Sequence, residues 1–127
     1  MKRIKITVDT ITLEATLADT ACAEALWNIL PLSTGINTWG DEIYFFIPVQ
    51  HKLDATARDI VEAGDIGYWP DGPAFCIFYG PTPISADKEI RPASAVNIIG
   101  RVIGDPTSLR GVPPGSKITI ERTKKDA

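Results

Sequence analysis

Five large apolar residues in a row, Ile43, Tyr44, Phe45, Phe46 and Ile47, occupy the middle of WGDEIYFFIPV, residues 39–49. A strand with one wet face alternates apolar and polar side chains, because successive Cβ atoms point to opposite faces. This stretch does not alternate. One face can fill a core, so the other must meet a second element, a partner or a ligand. The stretch PAFCIFYGP, residues 73–81, repeats the pattern, with Phe75, Ile77 and Tyr79 alternating with Cys76 and Phe78. Any fold for this chain must cover both faces of two strands.

The rest of the chain reads as strands and turns. RIKITV and ITLEATL are alternating runs joined at Asp9-Thr10, the pattern of a β-hairpin. DTACAEALWNILP changes period: Ala23, Leu26, Trp27 and Leu30 recur at helical spacing. Asp19 or Thr20 can cap that helix, and Pro31 helps to stop it. One face of the helix is expected to plug an open end of a sheet or barrel, with Trp27 packing rather than binding. A Ser-Thr-Gly turn then leads into the doubly apolar strand. HKLDATARDIVEAG, residues 51–64, fits either a loop with a short strand or a short helix from Thr56. Pro70-Asp71-Gly72-Pro73 is strong turn chemistry between two strands. PTPISADKEIRPAS, residues 81–94, is a long proline-rich connection of the kind that often carries function. AVNIIGRVIGD is a further strand, with Gly100 a bulge or a point of close approach. PTSLRGVPPG is a turn or one helical turn, and SKITIE is a last strand.

The sum is about eight strands and one clear helix, with no βα alternation and no internal repeat. The 127 residues fit one domain, 1–127. Ten glycines and ten prolines, above the usual combined share of ~12%, agree with short strands and many turns. The fold class is all-β. A closed barrel removes the edge-strand liability, and a β-sandwich competes with it.

Charge and composition narrow the function. The formal net charge is −3, and a nucleic-acid binder is expected to carry a basic patch. The one basic cluster, Arg122, Lys124 and Lys125, reads as a solvated tail. No apolar run approaches the ~20 residues that span a bilayer, and Lys5, Asp9 and Glu14 interrupt any signal-peptide core. Cys22 and Cys76 read as buried free thiols. A cytoplasmic protein that binds neither nucleic acid nor membrane is expected.

Reactive chemistry is sparse. One His and no C-x-x-C leave no set of zinc ligands, and the phosphate loop and the G-x-S-x-G elbow are missing. No metal and no cofactor are expected. His51 lies in a polar loop, while both cysteines sit in apolar runs, so no Cys-His pair is read. Asp41 and Glu42 are adjacent on a strand, so they face opposite ways and cannot share a proton.

The chain does offer a surface. If Ile43, Phe45 and Ile47 face the core, Glu42, Tyr44, Phe46 and Pro48 face outward and form an aromatic shelf. Trp69, before the Pro-Asp-Gly-Pro turn, is either a rim aromatic or a plug for the barrel end; Cys76 and Phe78 lie on the neighbouring strand and Ser94 in the long connection. Arg91, in the same connection, has a planar fork of donors suited to a carbonyl or carboxylate, and a surface salt bridge is the competing reading. Glu42, Tyr44, Phe46, Trp69, Cys76, Phe78 and Ser94 are the expected ligand contacts, and Arg91 the expected catalytic group if there is one. The competing expectation is that the helix or the long connection covers the shelf.

Three segments, WGDEIYFFIPV, GDIGYWPDGPAFCIFYGPTPIS and RPASAVNIIGRVIGD, together with the opening hairpin and helix, resemble the small archaeal and bacterial cyclophilin-like proteins. The resemblance implies a cyclophilin-like closed barrel of about eight strands with one or two helices over its ends. True cyclophilins are peptidyl-prolyl isomerases, in which a strand arginine weakens the resonance of the prolyl amide. Aligned with their motif, the arginine's place falls on Phe45, the preceding histidine's on Tyr44 and one pocket phenylalanine's on Cys76. The resemblance therefore implies a groove that holds a small molecule or an extended, proline-containing peptide. A weak isomerase using Arg91 is its alternative. A subunit of a larger assembly is a third reading, since similar domains occur in bacterial oxoprolinase subunits. A homo-oligomer or a partner subunit stays open.

Overall fold

The computed structural model describes residues 2–123. Its strands, in chain order, are β1 (Arg3–Val8), β2 (Ile11–Leu17), β3 (Leu32–Gly35), β4 (Asn37–Thr38), β5 (Glu42–Phe46), β6 (Asp65–Trp69), β7 (Ala74–Phe78), β8 (Asn97–Ile103) and β9 (Lys117–Arg122). Helix α1 (Ala21–Asn28) follows β2, and a 3-10 turn spans Pro106–Leu109. The nine strands form one sheet in the order β3-β9-β1-β2-β8-β6-β7-β5-β4. Its two end strands, β3 and β4, are separated in sequence by Ile36 alone. The sheet thus curls into a nearly closed barrel.

Sequence dictates most of this. The β1–β2 hairpin pairs Val8 with Ile11 and Ile6 with Leu13. Its two-residue turn puts Asp9 at φ 56, a left-handed conformation that Asp tolerates better than most residues. Helix α1 is capped by Thr20, which accepts from the Ala23 N–H, and it buries Cys22, Ala23 and Leu26 against the main core. The Ser-Thr-Gly segment departs from expectation: residues 32–35 form a strand instead of a turn. Leu32–Gly35 pairs with β9, where the barrel lacks a neighbour, so tertiary demand overrides local turn chemistry. With the unforeseen β4 it brings the count to nine, while the short strand expected in residues 51–64 is reduced to isolated bridges at Arg58 and Val61.

Residues 51–64 contain no helix. Arg58 and Val96 exchange two backbone hydrogen bonds of 2.9 and 3.1 Å. The fully buried Asn97 also holds this loop, accepting from Asp54 N at 2.8 Å and donating to Lys52 O at 2.9 Å. Gly100 is a close approach: a Cβ there would stand 2.5 Å from the Thr16 carbonyl oxygen. The β6–β8 register also shifts beside it, between Ile66 and Gly67.

Arg122 does more than solvate the chain end. Its guanidinium lies 5.0 Å from the Trp27 ring centre and donates to the Trp27 carbonyl at 2.8 and 3.0 Å. Lys124 and Lys125 lie outside the described residues. No described helix is long and apolar enough to cross a membrane.

Candidate functional site: an aromatic groove on the outer face of β5, β6 and β7

Register builds the site. Glu42 pairs with Phe78, Tyr44 with Cys76 and Phe46 with Ala74. On the next strand, Gly67 pairs with Cys76 and Trp69 with Ala74. Side chains directly opposite one another in antiparallel strands share a face. The outer face therefore carries the rows Glu42–Phe78, Tyr44–Cys76–Gly67 and Phe46–Ala74–Trp69. The alternate positions, Ile43, Phe45, Phe75 and Ile77, join the barrel core, where Phe45 stacks on Phe75 with ring centres 5.0 Å apart.

The long connection covers part of this outer face. It is stitched internally: Thr82 N donates to Ser85 Oγ at 2.9 Å, Arg91 N donates to the same oxygen at 3.0 Å, and Thr82 Oγ1 donates to the Arg91 carbonyl. Val61 N anchors it through the Ile90 carbonyl at 3.0 Å. Its far end lays Val96 over Gly67, where a Cβ would meet Val96 Cγ2 at 2.9 Å. Glycine at that point lets the loop sit flat on the sheet. Val61, Ala74, Cys76, Phe78 and Val96 form a small second core under this cover.

Beyond the cover lies a cavity of about 330 Å³, lined by Trp39, Glu42, Tyr44, Phe46, Trp69, Cys76, Pro92, Ala93 and Val96. Tyr44 and Phe46 meet edge to face, ring centres 6.1 Å apart at 77°. Phe46 remains 61% exposed. Trp69 is held by its indole N–H, which donates to Ser94 Oγ at 2.6 Å, and Ser94 donates onward to Asp71 at 3.1 Å. With its one donor engaged, Trp69 offers the cavity only ring surface.

One wall residue is ionisable and nearly sealed. Glu42 is 6% exposed, and its Oε1 has no hydrogen-bond partner among the described residues. Burial raises its pKa to about 7, opposed by a contact with the Cys76 thiol. Burial pushes Cys76 itself well above the ordinary thiol range, and the neighbouring Glu42 charge adds to the shift. Cys76 is therefore a neutral wall group rather than a nucleophile. Asp41 points elsewhere, to Arg110 Nε at 3.3 Å.

Of the residues expected from sequence, Glu42, Tyr44, Phe46, Trp69 and Cys76 line the cavity. Ser94 stands behind the wall and orients Trp69. Phe78 is fully buried in the second core beneath Val96 and Gly67. Arg91 is not in the lining; its Nε is 2.7 Å from Glu89. The place the resemblance assigned to an isomerase arginine, Phe45, faces the barrel interior, so a cation there would not reach the groove. Sequence reasoning passed over Trp39, Pro92, Ala93 and Val96. Only Trp39 left a signal, an aromatic residue just ahead of the Gly40-Asp41 turn; its N–H bonds the Glu42 carbonyl at 2.9 Å.

A second cavity, of about 650 Å³, runs past Lys2, residues 16–19, Asp65, Ile98, Gly100 and Arg101. It holds no aromatic residue, and its guanidinium is engaged by Asp65 at 2.7 Å. Cys22 and Cys76 are both free, in separate cores. His51 Nδ1 donates to the Lys52 carbonyl at 2.7 Å. No group of three or more metal-ligating side chains occurs among the described residues.

An all-β barrel with a groove on its outer face defines the class as cyclophilin-like. The cyclophilin-like family model matches residues 2–121, and the chain belongs to that family. It is similar to the hypothetical protein AF2241 from Archaeoglobus fulgidus, whose solution structure aligns with a TM-score of 0.80 at 40% identity, over 96% of this chain and 95% of that one. It also superposes on McbB, solved in complex with tryptophan, with a TM-score of 0.73 at 18% identity, over 98% of this chain and 46% of McbB. That second likeness is one of fold. Comparison with curated proteins gave no match.

Proposed function

We propose that this protein is a binding domain that holds a small ligand in the outer-face groove, without covalent chemistry. One observation carries the reading. A cavity of about 330 Å³ walled by four aromatic residues stays open beside the covering loop, and that volume falls within the range of small-molecule sites. The alternative expectation, a shelf sealed by the protein's own elements, applies to Phe78 and Cys76 but not to Phe46. A proline ring presented by an extended peptide is the second occupant the walls suit. The tryptophan held by McbB makes aromatic amino-acid derivatives sensible first probes.

Trp39 and Trp69 both stand in the wall, so intrinsic fluorescence reports on occupancy. A panel of aromatic amino-acid derivatives and prolyl peptides should give saturable quenching that is lost in Trp69→Ala and in Phe46→Ala. Saturation unaffected by both substitutions would place the ligand elsewhere. A protease-coupled assay on an Ala-Pro peptide tests isomerisation separately. The expected rate is background, because Arg91 is turned to Glu89 and no other cation lines the groove among the described residues.

A further inference from the structure

Glu42 is the one carboxylate among the walls of the groove. An isolated carboxylate is costly to bury, and proteins keep one only where it is paired, protonated or awaiting a partner. Glu42 has neither a cation nor a donor on Oε1 among the described residues. The groups around it do not supply one. Cys76 on β7 gives the carboxyl one weak thiol hydrogen bond and no charge, and Tyr44 on β5 stands beside it in the lining. Tyr79, just beyond β7, is held above its ordinary pKa by burial. Asp41 is occupied by Arg110. The covering loop contributes Pro92, Ala93 and Val96, none of which ionises.

The aromatic walls add a second constraint. Trp39, Tyr44, Phe46 and Trp69 surround the same cavity. The face of an aromatic ring carries negative electrostatic potential, and rings grouped around a site attract organic cations. An anion would meet both ring faces and a carboxylate. A neutral ring would use the walls and leave Glu42 unmatched.

We propose that the groove recognises a small organic ammonium ion, its charge beside Glu42 and its carbon groups against Trp39, Tyr44, Phe46 and Trp69. The inference rests on the groove being a ligand site at all. A cation would supply the missing partner of Oε1 and hold Glu42 ionised. Its affinity should then follow the ionised fraction of Glu42, rising roughly tenfold between pH 6 and 8 for a group of pKa about 7.

Three probes of one size and different charge test this: benzylamine, benzyl alcohol and benzoate. Binding is read by quenching of tryptophan fluorescence and by calorimetry. Benzylamine should bind at least tenfold more tightly than benzyl alcohol at pH 8, and benzoate most weakly. Glu42→Gln, checked for folding by its thermal transition, should bring the amine-to-alcohol ratio close to one and flatten the pH dependence. Equal binding of all three, or a preference for the amine that survives Glu42→Gln, overturns the cation proposal and leaves the groove reading standing. Binding of none of the three, with no response to the broader panel either, overturns both.

Discussion

The two faces of β5 and β7 share a backbone and meet different fates. Inward, Ile43, Phe45, Phe75 and Ile77 are enclosed by the barrel, and all belong to one large core. Outward, Phe78 and Cys76 are covered by Val96 and its neighbours, while Tyr44 is half-buried and Phe46 protrudes. Composition does not separate the faces, since both are apolar and aromatic. Reach of the covering element separates them. The barrel closes over every inner position, whereas the loop after β7 ends its cover short of Phe46. A cavity is left where cover stops over an apolar floor.

The strongest way to break this comparison is to truncate the inner face. Phe45→Ala removes a side chain stacked on Phe75 and should cost about 3–5 kcal/mol, read as a lowered urea midpoint. A loss under ~1 kcal/mol would mean that the interior collapses around the gap or that Phe45 is not in it.

Glu42 gives the next effect, and its sign is informative. Its pKa rises from about 4.5 to about 7 on folding, so the folded protein favours the protonated acid. The contribution of Glu42 to stability is then fully present below pH ~4.5 and is lost as the pH rises through ~7. A shift of this size corresponds to roughly 3 kcal/mol at pH 8. Glu42→Gln should abolish that slope and melt above the native protein at pH 8. A parallel pH profile for the two proteins would show that the carboxylate is solvated or paired, removing the one polar feature that distinguishes the groove from a greasy patch.

The cover itself can be disturbed. Gly67→Ala places a methyl group 2.9 Å from Val96 Cγ2 and 3.2 Å from Phe78, which is overpacking worth about 1–3 kcal/mol. Because Val96 also walls the cavity, ligand affinity should change along with stability. Loss of stability with unchanged affinity would show that the loop adjusts without moving the wall.

Much of this was legible in the sequence. The lack of alternation in residues 43–47 called for two covers, and period-2 reasoning put Tyr44 and Phe46 on the outer side. Faces follow from parity alone, so they survive errors in strand length. The strand at Leu32–Gly35 was not legible, because Ser-Thr-Gly satisfies turn chemistry and pairs only where the barrel has a vacancy beside β9. The state of Glu42 was hidden too. A sequence shows an acid at the start of a strand but not that the folded chain leaves it only 6% exposed. Arg91 stayed open between a ligand contact and a salt bridge for the converse reason. Its charge was visible while its neighbour Glu89, two residues away in an irregular loop, could not be placed.

The smallest stability effect belongs to Phe46, and it tests the comparison most closely. Phe46 neighbours Phe45 in sequence and carries the same side chain, yet it is 61% exposed and its one described ring contact is the edge of Tyr44. Phe46→Ala should change stability by roughly 0.5 kcal/mol or less, against the several kcal/mol expected one residue earlier. Its effect on ligand binding should be the larger one, several-fold weaker for any probe that quenches Trp39 and Trp69. An exposed phenylalanine that contributes little to folding and much to binding fits a side chain positioned for a visitor. If Phe46→Ala destabilises as Phe45→Ala does, the outer face is core after all. If it changes neither stability nor binding, the cavity beside it holds nothing that this ring touches.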